Sequence, residues 1–272
     1  MTGAGALIAR GAPVSASTLD QVWELARRSL LRTLRQPAQV VPALVFPLFL
    51  LAVNAGGLDA ATNIPGFPAD SYLTFALAVP FMQGAIFVLM NGGSDLAADI
   101  ESGFIRRLAL TPLSRAALVS GQLAGVVAAG GLHALIYLGV GLAAGAHFEA
   151  GPGGVLVLLA LSLSIAFAFG CAGMFVALRT GSTEAVQGMF PVFFVFLFFS
   201  SMALPRDLIE TDWFRTVATW NPVSYLIEGI RSLFIDGFDG EALGLAFGIA
   251  AVVTVVFLSA SAAALRTRLV AS

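Results

Sequence analysis

The sequence predicts an all-α integral membrane protein with six transmembrane helices, and three observations lead there. Of 272 residues, 58% are hydrophobic and only 11% charged. Soluble domains carry about one quarter charged residues, so this chain could not cover a globular surface with polar groups. Marking every charged residue leaves six long charge-free windows: 36–58, 71–94, 116–148, 150–178, 185–205 and 242–265. The shortest holds 21 residues, and about 20 suffice to span hydrocarbon as a helix. Backbone groups in lipid must pair within their own segment, which makes the windows helices. Strands of a membrane barrel would alternate apolar and polar residues, and the sequence shows no such alternation.

Taken in order, residues 1–17 are small and Gly/Ala-rich and read as a flexible N-terminus. No apolar core follows Arg10, so they are not a signal peptide. Residues 18–36 read as an amphipathic interfacial helix. Leu19, Val22, Trp23, Ala26, Leu30 and Leu34 share one face, opposite Asp20, Glu24, Arg27, Arg28 and Arg35, the 3.6-residue period of a helix. Ser17 and Asp20 suggest a capped start, and Pro37 limits the end. A cationic helix of this kind should lie along the inner membrane surface. Residues 37–272 then form the six-span domain. Pro42, Pro47 and Pro191 are expected to kink the first and fifth spans, as lipid-embedded helices tolerate.

Two connections are long. The inner one, 94–116, joins spans two and three; the outer one, 205–241, joins spans five and six. The outer one contains an apolar stretch of 14 residues, Pro222 to Ile235, interrupted by Glu228 and Arg231. It is too short and too charged to span, and reads as a re-entrant or interfacial helix with those two charges paired one turn apart.

Arginine asymmetry sets the orientation. All 14 basic residues are Arg, and 11 fall on the side of the termini (Arg10, Arg27, Arg28, Arg32, Arg35, Arg106, Arg107, Arg115, Arg179, Arg266, Arg268). The positive-inside rule therefore places both termini in the cytoplasm.

Several function classes lose support on chemistry. A Walker A loop needs a Lys to reach the phosphates, and the chain has no Lys. Single Cys171 and the separated His133 and His147 offer no metal-ligand pattern. An ion-coupled transporter would carry ionisable groups near the bilayer midplane. Here His133 is the one such side chain, and Asn54, Gln83, Asn91, Gln122 and Gln187 read as helix-bridging amides. Intramembrane hydrolysis lacks a GxSxG or a carboxylate pair. No catalytic residue is expected.

The inner connection reads Asp99-Ile100-Glu101-Ser102-Gly103-Phe104-Ile105-Arg106-Arg107-Leu108-Ala109-Leu110-Thr111-Pro112, a charged segment that predicts a short helix outside the bilayer, stopped by Pro112. Its acidic residue, Gly, basic pair, Leu and Pro, with Arg115, resemble the cytoplasmic loop of ABC-2-type transporter permeases, although Phe104 stands where that family often has Thr. Asn221-Pro222 and the run from Tyr225 through Glu228 to Arg231 resemble the family's re-entrant helix. Together with the six spans and the N-terminal helix, the likeness covers essentially the whole chain and points to the bacterial drug- and antibiotic-resistance exporter type.

The resemblance implies a half-transporter of the bacterial cytoplasmic membrane. A second permease copy or a homologous permease would complete the pair, and each chain would dock a separate ABC-type ATPase holding ATP and Mg. No cofactor, metal or nucleic acid is expected on this chain itself, and membrane lipids are expected partners. Asp99, Glu101, Gly103, Arg106, Arg107, Leu108 and Pro112 would form the coupling helix in the ATPase cleft, beside the interfacial helix with Trp23, Glu24, Arg27 and Arg28. Cargo would be a hydrophobic or amphiphilic compound, a drug, antibiotic or lipid. Aromatic faces at Phe81, Phe87, Met189, Phe190, Phe193 and Phe194, with Gln83, are the candidate path. A non-transporting anchor for an ATPase, serving signalling or envelope remodelling, is the alternative.

Overall fold

The computed structural model describes residues 37–103 and 115–270. The interfacial helix with Trp23, Glu24, Arg27 and Arg28, and Arg106, Arg107, Leu108 and Pro112 of the inner connection, lie outside the described residues. Among the described residues every regular element is helical: α1 (Pro37–Gly57), α2 (Tyr72–Ala76), α3 (Ala78–Glu101), α4 (Arg115–Ala143), α5 (Gly151–Thr180), α6 (Thr183–Gln187), α7 (Phe190–Phe198), α8 (Asp212–Trp220), α9 (Pro222–Ile235) and α10 (Gly240–Val270), with short 3-10 turns at Asp59–Asn63 and Arg206–Leu208.

Five segments are long and apolar enough to cross a membrane: Pro37–Gly57, Tyr72–Glu101, Gly121–Ala143, Gly151–Thr180 and Gly240–Leu265. The fifth predicted window, 185–205, differs. It forms α6 and α7, separated at Gly188–Met189, and the pair from Thr183 to Phe198 is a shorter apolar helix. At 1.5 Å per residue it reaches about 24 Å, less than the ~30 Å of hydrocarbon. Pro191 stands in the first turn of α7, where its missing N–H costs nothing. It therefore opens a helix rather than kinking one.

The core is built around α3, which packs against α5, α4, α1 and α6. Phe75, Leu77, Met82, Leu89, Leu158, Leu161 and Phe234 are essentially inaccessible there. By contrast α1 and α10 present Val41, Val45, Phe49, Val252, Val255 and Val256 outward, the bare apolar rim a lipid-embedded bundle requires. Proline exceptions are compensated locally. Pro47 has no N–H to offer the Ala43 carbonyl one turn back, and the Tyr137 hydroxyl of α4 donates to that carbonyl instead. Pro80 similarly lacks a donor for Ala76, and the helix breaks at Leu77 between α2 and α3.

Candidate functional site

Asp99 and Glu101 do not begin a separate helix. They form the last turn of α3, which runs seven residues past the predicted window and stops at Gly103, φ +67°. A left-handed residue just past a helix end is the usual terminator, and Gly adopts it without Cβ strain. The Glu101 carboxylate then reaches across the bundle. It accepts from the Thr183 backbone N–H at 2.8 Å and from the Thr183 hydroxyl at 3.3 Å, tying the end of α3 to the start of α6. Ser182 completes this junction: its hydroxyl accepts from Ala185 N–H at 3.3 Å and donates to Glu184 Oε2 at 2.6 Å.

Close approach of α3 to α5 and α6 supports the clasp. A Cβ on Gly93 would lie 2.8 Å from Val186 Cγ1 and 3.0 Å from the Gly173 carbonyl oxygen, and one on Gly173 would overlap the Leu89 carbonyl. Asp95, which the sequence places in the inner connection, is instead buried within α3. It lines a cavity of about 20 Å³ with Asn91 and His133. Nearby Gln122 donates to the Gly92 carbonyl at 3.0 Å, bridging α4 to α3.

At the opposite end, the chain turns back through α8 and α9. Asn221 joins three backbone groups: its Nδ2 donates to the carbonyls of Phe196 at 2.6 Å and Phe199 at 2.9 Å, while its Oδ1 accepts from Val223 N–H at 3.0 Å. One side chain thus caps the end of α7 and the start of α9, with Pro222 in the first helical position. The expected Glu228–Arg231 pair does not form. Glu228 instead takes both forks of Arg206, at 2.9 and 2.7 Å. Partial burial works against the Arg206 charge, and Glu228 and Tyr225 more than offset it. The Arg206 guanidinium lies 4.4 Å over the Tyr225 ring, whose hydroxyl donates to Thr219 O at 2.9 Å. A bidentate partner from a separate turn outcompetes one on the same helix because both N–H···O bonds can be straight. Arg231 is only 5% exposed. It donates to the carbonyls of Phe75 at 3.0 Å and Met202 at 3.2 Å and stacks 3.6 Å over the Phe75 ring. An Arg that reads as half of a pair one turn apart on its own helix is thus a buried strut between α9 and α2.

The candidate path residues divide. Phe87 meets Phe190 with centroids 5.7 Å apart, and Phe190 meets Phe194 at 4.3 Å. Phe46 of α1 joins both sides, 6.3 Å from Phe87 and 5.9 Å from Phe194. Phe193 points to Phe169 of α5 at 5.4 Å, and Met189 sits half-buried at the α6–α7 break. Phe81 makes its ring contacts away from this seam. Phe81 packs on Tyr137 and Phe234, at 5.8 and 6.2 Å, and Gln83 is buried in the bundle. Six helical positions put Phe81 and Phe87 about 120° apart around the axis, so they meet different neighbours.

Sequence reasoning missed Thr183, Ser182, Arg206 and Phe46. Ser182 was accessible to it: Gly181-Ser182-Thr183-Glu184 after an apolar run carries a helix stop and a new helix start.

Five helices long and apolar enough to cross a membrane define a multi-pass membrane protein. A family model described as ABC-2 type transporter matches residues 20–235, and the chain belongs to that family. It is similar to the daunorubicin resistance ABC transporter permease protein DrrB1 of Streptomyces coeruleorubidus, with 26% identity over 266 residues, covering 93% of this chain and 87% of the relative. It also resembles the probable doxorubicin resistance ABC transporter permease protein DrrC of Mycobacterium tuberculosis, 26% identical over 77% of this chain and 75% of the relative. A putative transport permease, ycf38, of Porphyra purpurea is 26% identical over 79% of this chain and 74% of its own length.

Proposed function

We propose that this chain is the membrane half of an ATP-driven exporter, moving a hydrophobic or amphiphilic compound out of the bacterial cytoplasmic membrane. Two such chains, or one with a homologue, pair across the membrane, each docked to a separate ATPase that binds ATP and Mg. Six segments cross or enter the bilayer, with both termini cytoplasmic and residues 99–112 as the docking element beside the interfacial helix. The fifth segment includes α6 and α7 and is completed by the chain leading to α8.

The observation that carries this reading is the clasp of Glu101 on Thr183. It links the last turn of the most buried helix to the segment bearing Phe190 and Phe194. The clasp offers displacement of the 99–103 end a hydrogen-bonded route toward the aromatic seam. The permease is co-purified with its ATPase and reconstituted in vesicles, and release of a fluorescent amphiphile is followed with ATP. Glu101→Arg loses both hydrogen bonds and reverses the charge; release falls at least tenfold while the protein remains in the membrane. Release at the wild-type rate would refute the docking role, and ATP hydrolysis with no cargo movement in any vesicle would favour the anchor instead.

A further inference from the structure

A cavity of about 360 Å³ opens between α9, α10 and the Arg206–Leu208 turn, within the range of small-ligand sites. Its charges are graded with depth. At the floor lie Phe75 and Arg231, both buried; at the mouth lie Asp207, Asp236 and Glu241, all exposed, with the Arg206–Glu228 pair also in the lining. Glu228, the nearest acid on the same helix, is committed to Arg206. Of the five N–H groups a guanidinium carries, Arg231 has two engaged, by carbonyls, and its Nη1 has no acceptor among the described residues. Burial works against the Arg231 charge, and Glu228 supports it only through space, without a hydrogen bond, so an anion on the open side of the cavity would stabilise it further. At the mouth Asp239 is occupied in capping α10, accepting from Glu241 and Ala242 N–H at 2.9 and 3.1 Å. Partial burial and the neighbouring Asp239 carboxylate raise the Asp236 carboxyl above its usual range, a crowding that a bound cation would relieve.

An anion alone would meet the carboxylates of the mouth, and a cation alone would meet Arg231. A ligand carrying both charges satisfies both. Arg231 lies on α9 and Asp236 caps its end, five residues on, and both line the cavity; the rise between them is on the order of 7 Å along the axis, the scale of a two-carbon linker with a hydrogen bond at each end. The order of charges selects among such ligands. The cationic floor is buried and the acidic mouth exposed, an order that the phosphate and terminal amine of a phosphoethanolamine group can match. One wall is Leu245, 43% exposed on the outward apolar side of α10, which leaves a lateral way in for acyl chains. We propose that this cavity seats the phosphoethanolamine headgroup of a membrane lipid, phosphate on Arg231 and ammonium between Asp236 and Glu241. The site stands independently of the transport reading.

Arg231 also holds the Phe75 and Met202 carbonyls, so its removal would disturb folding; the test varies the exposed mouth. Full-length permease is delipidated in non-ionic detergent and equilibrated with phosphatidylethanolamine, phosphatidylglycerol or phosphatidylcholine of matched chains. Retained lipid is counted by native mass spectrometry. The ethanolamine lipid is retained roughly tenfold better than either competitor, since only its amine donates charge-assisted hydrogen bonds. The double variant Asp236→Asn, Glu241→Gln loses that preference and keeps its binding of phosphatidylglycerol. Equal retention of the three lipids, or a preference that survives the double variant, overturns the proposal. Displacement of the lipid by soluble O-phosphoethanolamine at equal concentration overturns the lipid assignment in favour of a soluble ligand.

Discussion

Replacing Asn221 should unfasten two helix ends at once, with a size that depends on which half of the amide is lost. Asn221 is 5% exposed and makes three hydrogen bonds to backbone groups, two as donor and one as acceptor. Loss of a helix N-cap costs about 1 kcal/mol, and each of the two remaining bonds contributes about 1 kcal/mol net. Asn221→Ala should therefore destabilise by roughly 3 kcal/mol. Asn221→Ser keeps a capping oxygen for Val223 but loses both donors, and should cost roughly 2 kcal/mol. Asn221→Asp also keeps the cap, yet turns a carboxylate toward two carbonyl oxygens in a buried place, and should fall below Ser. Equilibrium unfolding in mixed micelles measures this order. Trp213 and Trp220 report on the region directly, since Trp213 lies 6.2 Å from Phe199 and Trp220 immediately precedes Asn221. If Ser and Ala lose the same amount, or if either loses less than about 0.5 kcal/mol, the double cap is not what holds the elbow.

Three further outcomes test the remaining contacts. A double-mutant cycle of Arg206→Gln and Glu228→Gln should give a coupling of about 1–2 kcal/mol in the same unfolding assay, since the pair is bidentate and its side chains are only a quarter exposed; zero coupling would make the pair idle. Gly173→Ala should cost roughly 1–3 kcal/mol, because its Cβ would meet Leu89 backbone, which cannot rotate away, whereas Gly153→Ala, with only Phe238 Cζ at 3.8 Å, should be neutral. Glu101→Gln and Asn221→Ser sit at opposite ends of the α6–α7 segment, so their stability losses should add within about 0.5 kcal/mol. A large departure would mean that the segment unfolds as one unit from either end.

The helical character of the bundle was legible because lipid leaves the backbone no other way to pair. Where a helix stops was less so. A charge-free window records what hydrocarbon permits, and 185–205 permits a span; α7 nevertheless ends at Phe198, capped from outside by Asn221, which is 25 positions from Phe196. Glu228 and Arg231 failed for a related reason. Their i,i+3 spacing is a true local signal, but the competitor Arg206 arrives from another turn, 22 residues away. In the aromatic group, residue type was visible and direction was not: Phe87 and Phe190 meet, while Phe81 turns inward. Asn221, Pro222 and Glu101 stood out in the sequence, and each holds a junction, although Glu101 does so from the end of α3 rather than from a separate helix.

The two ends of the short fifth segment explain why the polar side chains fall where they do. A helix that spans fully can rest its termini in water on both sides, but one of about 24 Å cannot. Its terminal N–H and C=O groups need partners supplied by neighbours. Glu101 supplies one at the Thr183 end, and Asn221 supplies two at the Phe196–Phe199 end. These bonds contribute about 1 kcal/mol each, small enough to be exchanged during a transport cycle. The contact of α3 with α5, by comparison, is backbone against glycine, with no spare room. Contiguity is not by itself coupling. The difference in strength separates the tightly packed α3, α5 and the Val186 turn of α6 from α7, whose far end is held by the Asn221 hydrogen bonds and which carries Phe190 and Phe194.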